Sequence, residues 1–351
     1  QEKTWEEVIT MADAVKEVKP KKEKAEKVKV KKAKTPMSKE KLHKIMFGTK
    51  DDMGLLKKIV VYVILTCVGF VFVYPLLKVL STSFMSLSDL FDSSINWIPS
   101  KLRFENYRTT MKAMNYWKSL KDSFIISGLP TLCQVVSCSI VGYGLARYNF
   151  KGKNFIMGLI IFSFVLPSSL LMTTQYQMYT SFGWTGKLMT FIFPAILANG
   201  FKSQLFILIC WSFFKQIPPV LNEAAAIDGA GHFKSFFKIA LPSAAGALIV
   251  VLIFSFVWYW NEQYLSQLYL YSKVKENNIY TPLINQLSIF DSAFDSAYNS
   301  NTGSGSSNSA TINDAYRMAA TILTILPLLI IYAVLQKQFV ESVDRAGITG
   351  E

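Results

Sequence analysis

The side chains that ordinarily carry covalent or metal chemistry are few and scattered in this chain. Cys67, Cys133, Cys138 and Cys210 fall inside apolar runs at irregular spacing, with only His43 and His232 to join them. That spacing gives no metal or redox site, so the thiols are read as small packing residues. No G-x-x-x-x-G-K-[ST] loop is present to cradle a nucleotide phosphate. Three other groups are placed to act by binding. Residues 218–242 form a polar, helix-prone island between two long apolar runs, with Glu223 and Asp228 as its acids. Trp258, Tyr259, Trp260, Asn261 and Tyr264 set aromatic faces, which can stack on sugar rings, beside an amide that can bond hydroxyls. The same rings also suit helix packing or an interfacial aromatic belt. Asn199, Lys202 and Gln204 lie in the fourth apolar run, where facing lipid is costly and facing the bundle or a pathway is the default.

The island has its own helix signals. Pro218 and Pro219 suit a helix start, because a proline in the first turn gives up only an amide that would lack a partner. Glu223, near that start, is expected to add favourable charge at the positive helix end. Ala224, Ala225 and Ala226 are strong helix formers, and Gly229 can take the left-handed turn that stops the helix. A second short helix with Phe233, Phe236, Phe237 and Ile239 leads to Leu241 and Pro242. The expected product is a helix-turn-helix with a narrow alanine face that a partner's groove can approach closely.

The elements that must hold these groups are membrane spans. The 351 residues are 51% hydrophobic and only 17% charged, where soluble domains carry about a quarter charged residues. The net charge of +13 comes largely from the lysine-rich start, so it speaks to topology before ligands. Residues 1–58 lack the short apolar region of a signal peptide and are too acidic for a transit peptide. They are read as a disordered cytoplasmic arm, with contact to anionic lipid as a weaker reading and nucleic-acid binding excluded by the absence of any fold signature. Residues 59–80 make the first transmembrane helix, with Lys57 and Lys58 setting its start inside. Residues 81–121 are an extracytoplasmic segment with an interfacial helix around Phe104 to Trp117. Spans two to six occupy 122–337, with Ser137, Ser139, Gly142, Gly144 and Ala146 permitting close packing in the second and Pro167 kinking the third. The island, taken as 213–242, is then cytoplasmic. Residues 266–314 form an outer segment whose run at 299–309 is too polar to fold alone. Residues 338–351 form a cytoplasmic tail. The fold class is an all-α polytopic membrane protein with six transmembrane helices and both termini in the cytoplasm.

Glu223-Ala224-Ala225, then Gly229, Ile239, Leu241 and Pro242 at their spacing, resemble the EAA loop of ATP-binding-cassette importer permeases. Further stretches resemble the carbohydrate-uptake branch, as in the second permease subunit of maltose-transporter-type importers. These are Tyr74 to Phe84, Phe104-Glu-Asn-Tyr107, Gly142 to Gly152, Leu166-Pro167, Trp211 to Pro218, Trp258 to Asn261 and Gln336 to Val340. The resemblance covers about residues 59–351. It implies a type I importer permease-like core in a bacterial cell membrane, carrying a sugar or oligosaccharide by alternating access. It implies a second homologous permease, two ATPase subunits that bind ATP and Mg, and an extracytoplasmic solute-binding protein. This chain would itself hold no cofactor or metal and catalyse nothing. Glu223, Ala224, Ala225, Asp228, Gly229, Ile239, Leu241 and Pro242 would couple to the ATPase. Trp258, Tyr259, Trp260, Asn261, Tyr264 and Asn199 would line the substrate pathway, and segment 266–314 could enter the binding protein. The alternatives are a permease of the same superfamily for a peptide, amino acid or glycerophosphodiester, and a membrane scaffold or channel.

Overall fold

The computed structural model describes residues 54–95, 97–270, 280–298 and 312–348. The lysine arm up to residue 53 and the serine- and asparagine-rich run at 299–311 lie outside the described residues. Two compact units are distinguished, one ending at Phe70 and the other starting at Val71. Helix α1 (Leu55–Ser83) runs through both and buries only Thr82 and Ser83. Its apolar residues are exposed all round, as expected of a helix that lipid or another subunit covers.

Within the second unit, regular structure among the described residues is entirely helical. A short helix α2 (Leu87–Phe91) starts at a capping box, in which Ser86 Oγ accepts from the Asp89 amide and Asp89 accepts from the Ser86 amide. Helix α3 (Glu105–Ala113) forms within the stretch expected to hold an interfacial helix, and it closes the end of α1. Buried Asn106 donates its amide protons to the carbonyls of Ser83 and Met85, each at 2.9 Å. Tyr107 Oη meets Ser83 Oγ at 2.7 Å. These bonds satisfy carbonyls left open where α1 ends.

Helix α4 (Tyr116–Arg147) is the axis of the unit and begins six residues before the span expected from Asp122. It packs against α7 (Met189–Ile196), α8 (Ser203–Gln216) and α11 (Ala245–Asn261). Gly142 makes the closest approach possible: a methyl there would stand 2.6 Å from Cys210 Cβ and 2.9 Å from the Trp211 amide nitrogen. Gly144 has open space instead, so only one of the two glycines is needed for packing. Cys138 and Cys210 are free, fully buried thiols in the core formed with Phe206 and Phe214.

Proline breaks the third apolar run as expected. Helix α5 (Lys153–Val165) stops at Leu166-Pro167, both extended, and α6 (Ser168–Ser181) starts afresh. A residue before proline is pushed out of the helical region, so the break falls where the sequence puts it. The fourth apolar run is not continuous either. It breaks between α7 and α8, with Ala198 and Lys202 both left-handed, at φ +54° and +61°.

Helix α9 (Pro219–Ile227) turns by 70° from α8. Helix α10 (His232–Ser235) passes through a π-helical turn at Phe236–Ala240 and a last turn at Leu241–Ser243 before a 76° bend into α11. Helices α12 (Gln263–Leu270), α13 (Leu283–Ser288) and α14 (Phe290–Tyr298) follow, and α15 (Asp314–Ile348) closes the chain. Helix α15 carries the expected sixth span and runs on without interruption past residue 337. Among the described residues, three helices can cross a bilayer by length and apolarity (α1, α4 and α15), and up to six spans result if each of three bent pairs is one broken span.

Candidate coupling loop and pathway cavity

The predicted island is a helical hairpin. Pro219 occupies the first turn of α9, where its missing amide costs nothing. The far end closes in a Schellman motif: the Ala230 amide donates to Ala225 O at 2.8 Å, and the Gly229 amide to Ala226 O at 3.1 Å. Gly229 sits at φ +71°, so the left-handed position is filled by the residue that adopts it without strain. Glu223 falls beyond the first turn of α9, which has no acidic residue, so it gains little from the helix dipole.

Two contacts fix the hairpin. Ser235 Oγ donates to Asn222 Oδ1 at 3.1 Å, tying α10 to α9. Arg147, the last residue of α4, donates from Nη2 to Ile217 O at 2.6 Å, just ahead of the Pro218-Pro219 start. In the sequence Arg147 stands out only as one residue of the stretch Gly142 to Gly152. Its reach to residue 217 depends on α4 and α8 lying side by side, which no local pattern encodes.

One face of the hairpin remains exposed. Ala225 is buried against the hairpin, while Glu223, Ala224, Ala226, Ile227, Asp228 and Gly229 are exposed, Ile227 at 87%. Val220, Leu221, Phe233 and Phe237 add exposed apolar surface. Phe236 turns inward, with its ring 4.9 Å from that of Tyr143. Ile239 and Leu241 are half-buried and Pro242 is exposed.

The polar and aromatic residues predicted for a pathway separate in space. Asn199 and Tyr259 line one cavity of about 300 Å³ at the α7–α8 break, together with Lys202 and Gln204. Trp258 is half-buried, its ring 5.3 Å from Phe206. Trp260 is buried and donates from Nε1 to Thr324 O at 3.3 Å on α15. Asn261 donates back to Val257 O at 3.0 Å, one turn earlier on its own helix. Tyr264 is exposed, outside the cavity lining.

The break itself is held by side chains from two other helices. The Phe201 amide donates to Tyr259 Oη at 3.1 Å, and Gln134 Nε2 donates to Phe201 O at 2.8 Å. Ser137 Oγ donates to Ala195 O at 2.5 Å, and Ser255 Oγ donates to Gln134 Oε1 at 3.3 Å. In an apolar medium a broken helix survives only if its freed backbone groups find partners, and these residues supply them. Sequence reasoning missed Gln134 and read Ser137 only as a small packing residue, without its bond to Ala195 O. The signal available was a polar pair one turn apart in an apolar run.

Comparison with known proteins agrees with this geometry. Residues 139–345 match the family described as binding-protein-dependent transport system inner membrane component. A polygalacturonan/rhamnogalacturonan transport system permease protein of Bacillus subtilis is 27% identical over 290 residues, covering 83% of this chain and 97% of that protein. An arabinooligosaccharides transport system permease protein of Halalkalibacterium halodurans is 28% identical over 290 residues, covering 81% and 93%. A chain from the crystal structure of a bacterial transporter importing the acidic polysaccharide alginate shares the fold, with a TM-score of 0.66 at 18% identity over 83% of this chain and 98% of that one. Such proteins are membrane transport subunits and not enzymes. The family match takes in more than half of the chain, including the helical hairpin at 218–242 and the cavity at the helix break. The chain therefore belongs to the family of binding-protein-dependent transport system inner membrane components.

Proposed function

We propose that this chain is the permease subunit of an ATP-driven importer that carries a sugar or oligosaccharide across the bacterial cell membrane. The observation that carries the coupling half of this reading is the exposed face of α9. A short helix that leaves Val220, Leu221, Ala224 and Ile227 uncovered on a polar hairpin needs a partner surface. A separate ATPase, holding ATP and Mg, supplies that groove. Closure of the ATPase dimer moves α9 of this chain and its counterpart on a second permease, and the helices behind them rock as bodies between inward and outward states. The Arg147 bond to Ile217 O passes that movement directly to the end of α4.

The sugar half rests on the cavity's mixture of rings and amides, and on the sugars named for the relatives. A solute-binding protein on the outer side delivers the substrate, and both termini lie in the cytoplasm. The test is purification of this chain from native membranes, with mass spectrometry of its companions. Recovery of a second permease and an ATPase with a phosphate-binding loop is the expected result. Recovery of the chain alone refutes the reading. In the assembled transporter, Gly229→Asp and Glu223→Lys should leave the chain in the membrane and abolish sugar-stimulated ATP hydrolysis.

A further inference from the structure

Among the described residues that line the cavity at the α7–α8 break, one carries a fixed charge, and it is positive. Lys202 lies on its wall, exposed, between two apolar helices. Among the described residues no carboxylate stands within ion-pair distance of it, and its Nζ is 5.7 Å from the Phe201 ring centroid. No acid is found among the described residues that line the cavity. The acid that follows α11, Glu262, is engaged elsewhere, accepting from the Leu265 amide at 3.0 Å. A lysine held among apolar helices without a counter-charge is costly, and such residues mark pathways for charged solutes. Lys202 also stands at the N-terminal end of the 14-residue α8, whose dipole adds positive potential to the same wall.

The remaining lining is suited to a carbohydrate. Phe164 and Phe201 offer ring surface, while Asn199, Gln204 and Gln175 offer amides that both donate and accept. Gln204 Nε2 stands 3.4 Å from Asn199 Oδ1, a long bond that a hydroxyl can replace. Rings and amides without a cation would suit a neutral sugar. With Lys202 among them the cavity is matched to a sugar bearing carboxylates.

We propose that this cavity takes an acidic, uronate-type oligosaccharide and that Lys202 is a specificity-determining residue, pairing with a carboxylate of the passing chain. The proposal rests on the sugar-importer reading and adds the substrate class to it. An anionic lipid headgroup presents similar chemistry to Lys202, so the test separates the two sources.

The transporter is purified from native membranes through a tag on this chain and reconstituted in liposomes with its solute-binding protein. Uptake is measured for trigalacturonate and trimannuronate and for the neutral methyl ester of each. Lys202→Met should lower uptake of the acids about tenfold or more, the effect of losing one hydrogen bond to a charged group. Lys202→Arg should restore it, and uptake of any ester carried should be unchanged. Co-purification of the ATPase with each variant shows that assembly is intact. The same loss must appear in liposomes of phosphatidylcholine alone and with added phosphatidylglycerol. A loss confined to the anionic liposomes would assign Lys202 to lipid and overturn the proposal. Uptake of the esters but not the acids by the native transporter overturns it while leaving the sugar-importer reading standing. Uptake of none of the four overturns the acidic-substrate proposal, while the sugar-importer reading falls only if no second permease and ATPase co-purify; acid uptake indifferent to Lys202→Met overturns the role of that residue.

Discussion

Replacing Gly200 by alanine and Tyr259 by phenylalanine, singly and together, tests how the broken helix is held. A methyl on Gly200 would stand 2.6 Å from Tyr259 Oη, 3.1 Å from Ala195 Cα and 3.2 Å from Gln134 Oε1. The first contact is far inside van der Waals distance, so the tyrosine or the backbone must shift, at about 1–3 kcal/mol for overpacking a filled interior. Tyr259→Phe removes the oxygen that accepts from the Phe201 amide at 3.1 Å. That leaves a buried donor unpaired, at about 1–3 kcal/mol. In the double variant the clash with Oη no longer exists, while the two looser contacts remain. The combined loss should then fall short of the sum by about 0.5–3 kcal/mol, the range seen for residues in direct contact. The assay is thermal unfolding of the purified transporter in detergent, all four proteins side by side. Strictly additive losses would refute the idea that Tyr259 Oη and Gly200 share one crowded site.

Three further outcomes follow from contacts described above. Arg147→Met removes the 2.6 Å bond to Ile217 O and should weaken the seat of the coupling hairpin by about 1.5–3 kcal/mol, read as loss of substrate-stimulated ATP hydrolysis with insertion unchanged. Unaltered stimulation would show that the hairpin is held by its apolar contacts alone. Asn106→Leu strips two bonds from the end of α1 and should lower the unfolding temperature, at about 1–3 kcal/mol, without altering the cavity. An unchanged melt would count against the capping role. The Arg317 guanidinium, bonded to both Asp291 oxygens at 2.8 and 3.0 Å, holds that carboxyl below its ordinary 3.8. A depressed carboxyl stabilises the fold fully above its unfolded value and ceases to do so as pH falls through the lower folded value. Both side chains are about half exposed, so Asp291→Asn should cost less than about 1 kcal/mol at neutral pH and nothing in stronger acid. A cost that persists at low pH would mean the pair is not its source.

The coupling hairpin was legible because its determinants are local. Two prolines, three alanines and a glycine each act within one turn of themselves, and Pro219 and Gly229 stand where their backbone preferences require. The third-run break was legible for the same reason, since Pro167 forces Leu166 out of the helix. The α7–α8 break was not read, although Asn199-Gly200 is a recognised punctuator of regular structure. What makes that break stable comes from Gln134, 67 residues before Phe201, and from Tyr259, 58 residues after it. Partners that distant are supplied by packing, and a periodicity window contains neither. The aromatic group shows the complementary difficulty. Trp258 to Asn261 are adjacent in sequence, but on a helix successive residues point about 100° apart, so only Tyr259 of those four reaches the cavity. The coupling of Arg147 to Ile217 likewise needed the pairing of α4 with α8.

Helix α15 has a mechanical consequence. At about 1.5 Å per residue its 35 residues extend roughly 52 Å, against a hydrocarbon thickness of about 30 Å. The surplus of about 20 Å is an unbroken continuation of the same rod. Near its start Arg317 is bonded to Asp291 of α14, and partway along it receives the Trp260 bond at Thr324. A stiff rod longer than the bilayer is thick cannot respond at one end alone. A tilt or roll imposed where α14 and α11 grip it is carried past Pro327 to the far end, at most about four turns beyond the apolar layer, so α15 can act as an axle through the membrane.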